Sequence, residues 1–448
     1  MFPTRHLWLA EARALGRIST SVTVTMFAQL AMSAVETLIV ARLGIRELAG
    51  VTLALSIHLL VFLFALGVVT ALTPIAAAAM GRGDAIGARL SGQQGLWAGL
   101  TFSLPGVVLL LVCRSLLETV LGAGVETESA SAYLAGAALG LPAWVTYVAV
   151  RSLAVATGQV RLTTIVMLAS IPLHAALTWW LVFGGLFLPP LGALGAGLAY
   201  ATAGYGALGL LALAVRILPS GILGSTLRRP FGFDRARYLE ILRLGIPFAC
   251  RILLREGVLP ASAFLIAPFG ASAVAAHAVA LRVVDLCGVF SFGFSDAANA
   301  RVSHATGAGK SCDAVLSGWV AVGLATFVGL LMAGVLLAAP LTVVRAILGD
   351  ADSADLQAAA TLLPFAAALL FLEGVQSAVG GALSGLRDAR GPLIIAIQGA
   401  WLLGMPLGFV LAWLSASPAS GLWSGLIVGA CTTTVLYLRR FRKRVMRG

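Results

Sequence analysis

Ten charged side chains interrupt otherwise apolar stretches of this 448-residue chain: Glu36, Arg151, Arg251, Arg255, Glu256, Arg282, Asp285, Asp296, Arg301 and Glu373. An ionised group in such surroundings is expensive unless it is paired or used, which makes each a candidate for function. Glu256 stands between Ile252-Leu253-Leu254 and Gly257-Val258-Leu259-Pro260, and Glu373 follows Leu369-Leu370-Phe371-Leu372. Neither can easily reach water by extending. Glu36 lies nearer the outer end of its stretch, where a carboxylate can draw cations into a cleft. Arg251 and Arg301 read as structural, with Asp296 as a partner for Arg301.

A carboxylate at such a depth can bind Na⁺ through its oxygens, or it can take and release a proton, which burial favours. Spacing leaves both open for Glu256 and Glu373, and Asp285 joins them as a coupling residue. Arg282 precedes Asp285 by three positions, so the two share a helix face and can pair. If Arg282 reaches Glu256 and Glu373, its guanidinium takes the place of a metal cation, which tilts the expectation towards H⁺ over Na⁺. Arg255 points about 100° away from Glu256 and is the poorer partner. No other metal is expected. His58, His174, His277 and His304 lack ligand spacing, and His277 reads as a satisfied polar residue. Cys113, Cys250, Cys287, Cys312 and Cys431 contain no CxxC pair. No GxxxxGK[ST] motif is present, so neither ATP drive nor a cofactor beyond the coupling ion is expected.

The elements that must hold these residues follow from composition. Hydrophobic residues make up 60% of the chain and charged ones 11%. The mean hydropathy is +0.99. Only lipid solvates that much apolar surface. The stretches are continuously apolar and long enough to span a bilayer, so they read as helices rather than barrel strands. They fall at 18–41, 48–80, 93–113, 130–157, 162–184, 190–217, 242–268, 272–305, 314–339, 356–386, 391–415 and 419–438. The first is too long for a signal core and reads as a retained helix behind a short amphipathic segment. With the N-terminus inside, twenty Lys and Arg fall on the cytoplasmic side, including Arg228, Arg229, Arg235, Arg237 and Arg243 and the tail from Arg439 to Arg447. Only Arg42, Arg46, Arg114 and Arg345 fall outside. This asymmetry places both termini in the cytoplasm. The net charge of +12 is then topology and lipid contact, with no nucleic-acid face.

The chain also repeats itself at an offset of 226 residues. Gly44 matches Gly270, Ala54-Leu55 match Ala280-Leu281, Gly67 matches Gly293, and Leu90-Ser91-Gly92 match Leu316-Ser317-Gly318. An even number of spans per repeat gives two parallel six-helix lobes, 1–226 and 227–448, the second ending in the basic tail. Two such lobes suit alternating access. At this offset Glu256 faces Leu30, Arg282 faces Ser56 and Asp285 faces Leu59. The second lobe therefore carries charges that the shared architecture does not require.

Together the motifs resemble the MATE (multidrug and toxic compound extrusion) family, NorM-type branch. Val35-Glu36-Thr37, Arg42-Leu43-Gly44, Gly81-Arg82-Gly83-Asp84 and Gln93-Gln94-Gly95-Leu96 carry the resemblance in the first half. Arg243-Leu244-Gly245-Ile246-Pro247, Glu256, Ala267-Pro268-Phe269-Gly270 and Glu373-Gly374-Val375-Gln376 carry it in the second. It implies a monomeric bacterial inner-membrane exporter that exchanges Na⁺ or H⁺ for small organic, often cationic, molecules. It also implies that Glu256 is a cation-site residue and that Glu373 and Glu36 stand where relatives have Asp. Ala278 and Arg282 depart from the usual Gln and Asn. The alternatives are a lipid-linked glycan flippase, with Arg151 as its one basic first-lobe candidate, and a non-transporting membrane scaffold.

Overall fold

The structure, a computed structural model, describes residues 5–446 except 123, 186–187, 218–220, 229–231 and 349–352. Arg229, Arg447 and parts of the segment from Pro219 to Arg243 lie outside that set. The protein is all-α. Its helices are α1 (Arg5–Val40), α2 (Ile45–Thr70), α3 (Leu72–Gly81), α4 (Ala85–Leu121), α5 (Val125–Thr157), α6 (Val160–Phe183), α7 (Gly192–Ile217), α8 (Gly221–Arg228), α9 (Arg235–Ile266) and α10 (Ala271–Gly307). Then follow α11 (Ser311–Ala338), α12 (Pro340–Leu348), α13 (Ser353–Ala360), α14 (Leu363–Gly385), α15 (Arg390–Ala396), α16 (Met405–Leu414) and α17 (Pro418–Val445). A π-helical turn, Ile397–Gly404, joins α15 to α16. Among the described residues, twelve spans have the length and apolarity to cross a bilayer. α1 runs unbroken from Arg5 and absorbs the amphipathic segment expected ahead of it, because Leu, Ala, Glu and Arg there all favour helix. The segment between the halves is no simple loop. It contains α8, whose Thr226 carbonyl accepts from Gln93 at 3.4 Å, and the Gly232 carbonyl accepts from Gln94 at 2.7 Å.

The helices form two compact units, Val24–Cys250 and Arg251–Gly448 together with Met1–Thr23. In the first unit α5 is central, packed by α7, α4 and α2. Glycines bring α5 and α7 to backbone contact: a Cβ on Gly136 or Gly140 would meet the backbone of Leu198 or Ala201. In the second unit α14 takes the same place, packed by α10, α11 and α17, with Gly381 against the Ser295 carbonyl. The fourth span of each half is thus the core of its unit.

The compact units differ from the sequence halves by one half-helix in each direction. Residues 24–250 include the start of α9, and the second unit includes the start of α1. The repeated glycines make the matching contacts. A Cβ on Gly67 would lie 2.8 Å from the Ala249 Cβ of α9, and one on Gly293 would lie 2.7 Å from the Ser19 carbonyl of α1. Gly67→Val and Gly293→Val are each expected to destabilise the protein by about 1–3 kcal/mol through overpacking. Thermal unfolding of the purified protein checks this, and an unchanged Tm in both would refute the close packing.

Buried charges fasten other ends. Glu11, 9% exposed, accepts from Arg301 Nε at 2.8 Å and from Ser317 Oγ at 2.7 Å, and its second oxygen also takes Arg301. The carboxylate that pairs with Arg301 is therefore Glu11, and not Asp296 as expected. The start of α1 reaches it only because α1 begins so early. Beyond the spans, Asp388 accepts from Arg440 at 2.6 and 3.0 Å, from Arg444 at 3.1 Å and from the Gly391 amide at 3.2 Å. Burial works against its charge, but Arg440 and Arg444 outweigh it and hold the carboxyl below its usual value.

Candidate functional site

α9 presents Arg255 and Glu256 near its middle. Pro260 has no N–H to offer the Glu256 carbonyl, so the helix loses a rung at that level. The π turn presents Trp401, whose indole N–H donates to the Leu254 carbonyl at 2.9 Å. Turns of this width concentrate at functional sites. Arg255 Nε lies 3.3 Å from Glu256 Oε1, with both side chains about a third exposed, at 31% and 34%. Arg255 Nη1 donates to Ser377 Oγ at 2.8 Å, and its guanidinium sits 4.9 Å over the ring of Phe292. Ser377 is one helical turn beyond Glu373 on α14 and so shares its face. Glu373 is half-buried, within electrostatic reach of Arg255, Glu256 and Asp285. Asp285 in turn feels Glu256 and Arg282.

The structure thus brings Glu256, Glu373 and Asp285 into one neighbourhood and corrects two expectations about the arginines. Arg255 does pair with Glu256, because its long side chain curls back across the 100° between neighbouring positions. Arg282 is exposed, is felt by Asp285 without closing an ion pair with it, and is not the guanidinium at Glu256 and Glu373. That group belongs to Arg255. Beside the cluster, Cys287, Phe290, Phe294, Val328, Met332 and Gly374 line a small, mostly apolar recess. Among the described residues no group of three or more His, Cys, Asp or Glu is arranged to hold a metal ion. One oxygen of Glu256 is already engaged by a guanidinium.

The first unit holds a different site. Glu36 on α1 is only 2% exposed, so it does not line an open cleft as expected. His174 Nε2 of α6 stands 3.7 Å from its Oε2, with both side chains enclosed. Glu36 Oε1 and both His174 ring nitrogens make no hydrogen bond. The Tyr133 hydroxyl lies near enough to Glu36 to interact without closing a well-formed bond. Tyr200 also feels Glu36, and its hydroxyl is 3.2 Å from His58 Nε2. Trp144 braces this wall by donating to the Tyr200 carbonyl at 3.0 Å. Arg151, the basic residue on which the flippase alternative leaned, is itself buried at 5% exposure.

Sequence reasoning missed His174 because a lone histidine without metal spacing carries no signal of its own. Tyr133 and Tyr200 gave none either, since tyrosine in a membrane helix is usually packing. The one available clue was that a carboxylate at Glu36 needs a partner somewhere in its own half. In the second unit, His277 is satisfied as expected. Its Nδ1 accepts from Trp423 at 3.0 Å and its Nε2 meets Ser262 at 3.2 Å.

The sequence matches the family model described as MatE over residues 22–180 and 247–410. A probable multidrug resistance protein NorM of Deinococcus radiodurans is 34% identical over 98% of this chain and 97% of its own. Its counterpart in Rhodopseudomonas palustris is 32% identical over 98% and 91%. Among solved structures, an outward-facing multidrug resistance MATE family transporter of the MOP superfamily superposes with a TM-score of 0.88 at 18% identity, covering 100% of this chain and 99% of its own. A eukaryotic MATE transporter superposes with a TM-score of 0.86 at 18% identity, covering 98% of each chain. At that identity the structural likeness speaks for the fold.

Proposed function

The chain belongs to the MATE family of cation-coupled drug-efflux transporters and is not an enzyme, and we propose that it runs on protons, exporting amphipathic organic cations. The observation that carries the proton reading is the enclosed Glu36–His174 pair, with hydrogen-bonding atoms left over on both partners. With one proton the pair is neutral overall, as an ion pair or as an acid beside a neutral imidazole. A second proton leaves one positive charge in an enclosed site. The attraction between carboxylate and imidazolium at this separation is of the order of a few kcal/mol, so proton traffic changes how firmly α1 and α6 hold together. Pro172, two residues before His174, leaves the Leu168 carbonyl without its usual donor and gives α6 a place to yield.

The second unit supplies the substrate side of the exchange. Three carboxylates and two guanidiniums leave one formal negative charge over, next to an apolar recess. That combination suits a monocation with an apolar body. In this reading 1–226 and 227–448 act as the two moving lobes, the protein works as a monomer in the bacterial inner membrane, and both termini are cytoplasmic. The deciding experiment is export from reconstituted vesicles with a pH gradient and a Na⁺ gradient imposed separately. Export driven by the pH gradient alone is expected, and export that requires Na⁺ would overturn the proposal.

Topology is checked independently. In a background free of the five native cysteines, Arg235→Cys should react with an impermeant maleimide only in inside-out membranes, and Arg345→Cys only in intact cells. The reverse pattern would invert the orientation.

A further inference from the structure

We infer that the Arg255 guanidinium is the resident cation of the Glu256–Glu373–Asp285 cluster, occupying the position an alkali ion would need and making this site indifferent to Na⁺. Three carboxylates within electrostatic reach of one another favour a positive charge among them, and a side chain can supply it permanently. Arg255 is held for that task from three helices. Its Nε meets Glu256 on α9 at 3.3 Å, its Nη1 donates to Ser377 on α14 at 2.8 Å, and its plane lies 4.9 Å over Phe292 on α10. A guanidinium suits this setting. It is planar, carries five donors, and is more weakly hydrated than an ammonium, so it accepts an aromatic floor. Trp401 steadies the backbone one residue earlier through its bond to the Leu254 carbonyl. An alkali ion entering beside Arg255 would meet a like charge and find one oxygen of Glu256 already engaged.

The inference deepens the transporter reading of the same cluster, and its test needs no transport. The full chain, purified in detergent, is unfolded thermally in 100 mM NaCl and in 100 mM N-methyl-D-glucamine chloride, whose cation has a polar body. Wild type is expected to unfold at the same temperature in both. Arg255→Gln, which empties the position, is expected to gain an apparent Tm rise of about 2 °C in NaCl. Arg255→Ala leaves room for a free guanidinium ion and is expected to gain a similar rise in millimolar guanidinium, to which wild type stays indifferent. Adding Glu256→Gln to Arg255→Gln should remove the Na⁺ response. A Na⁺-dependent rise in wild type would overturn the inference. So would a folded Arg255→Gln and Arg255→Ala that respond to neither ion. If Arg255→Gln fails to fold, the Arg255→Ala guanidinium response decides, and if both fail, Arg255→Lys does. That variant keeps a cation in place and must fold and remain indifferent to Na⁺; its misfolding or its response to Na⁺ also overturns the inference. Wild-type export that requires a Na⁺ gradient would instead remove the proton reading, so the two failures are separable.

Discussion

Glu36→Gln is expected to reduce pH-gradient-driven export by about tenfold or more, a loss within the range of ordinary coupling free energies. The side chain keeps its size and loses only its ability to carry a proton on and off. Glutamine fills the same enclosed space as the glutamate, so the apparent Tm should hold within a few degrees. His174→Gln is expected to behave differently. It leaves the Glu36 carboxyl in place, so export is expected to persist at a reduced rate. Vesicle transport across a pH series, beside thermal unfolding, reads both variants. Wild-type export by Glu36→Gln under a pH gradient would eliminate the pair as the proton site. Loss of folding in both variants would assign it a packing role.

Glu256→Gln and Glu373→Gln are expected to return a drug-sensitive host lacking its own pumps to the susceptibility of cells without the protein. Each substitution removes the single formal negative charge by which the cluster favours a monocation. Glu256→Gln also releases Arg255 from its 3.3 Å partner and leaves the guanidinium to Glu373 and Asp285. The loss of export should again be about tenfold or more, with the amount of protein in the membrane changed by less than about twofold. Both residues are partly exposed, so neither substitution opens a cavity or strands a fully buried partner. Full resistance in both variants, at normal membrane levels, would remove the cluster from the transport cycle.

The sequence by itself determined the number of spans, the helical class, the internal repeat and the residues at which charge enters the apolar interior. These are properties that each segment states locally: a run of about 20 apolar residues is a span whatever its neighbours do. The repeat was legible because the glycines that permit close packing recur at a fixed offset. The tertiary structure decided what each charge meets. It gave Arg301 to Glu11 from the far end of the chain, put Arg255 and not Arg282 against Glu256, and enclosed Glu36 with His174. None of these partners shares a local pattern with the residue it serves. Helical spacing also misled for Arg255, because it fixes the direction of a Cβ and not the path of a long flexible side chain. Likewise the offset that reveals two halves does not reveal that the starts of α1 and α9 are exchanged between compact units. A repeat records common descent of helices, whereas membership of a packed unit depends on which faces approach, and here two equivalent glycines, Gly67 and Gly293, make that approach possible.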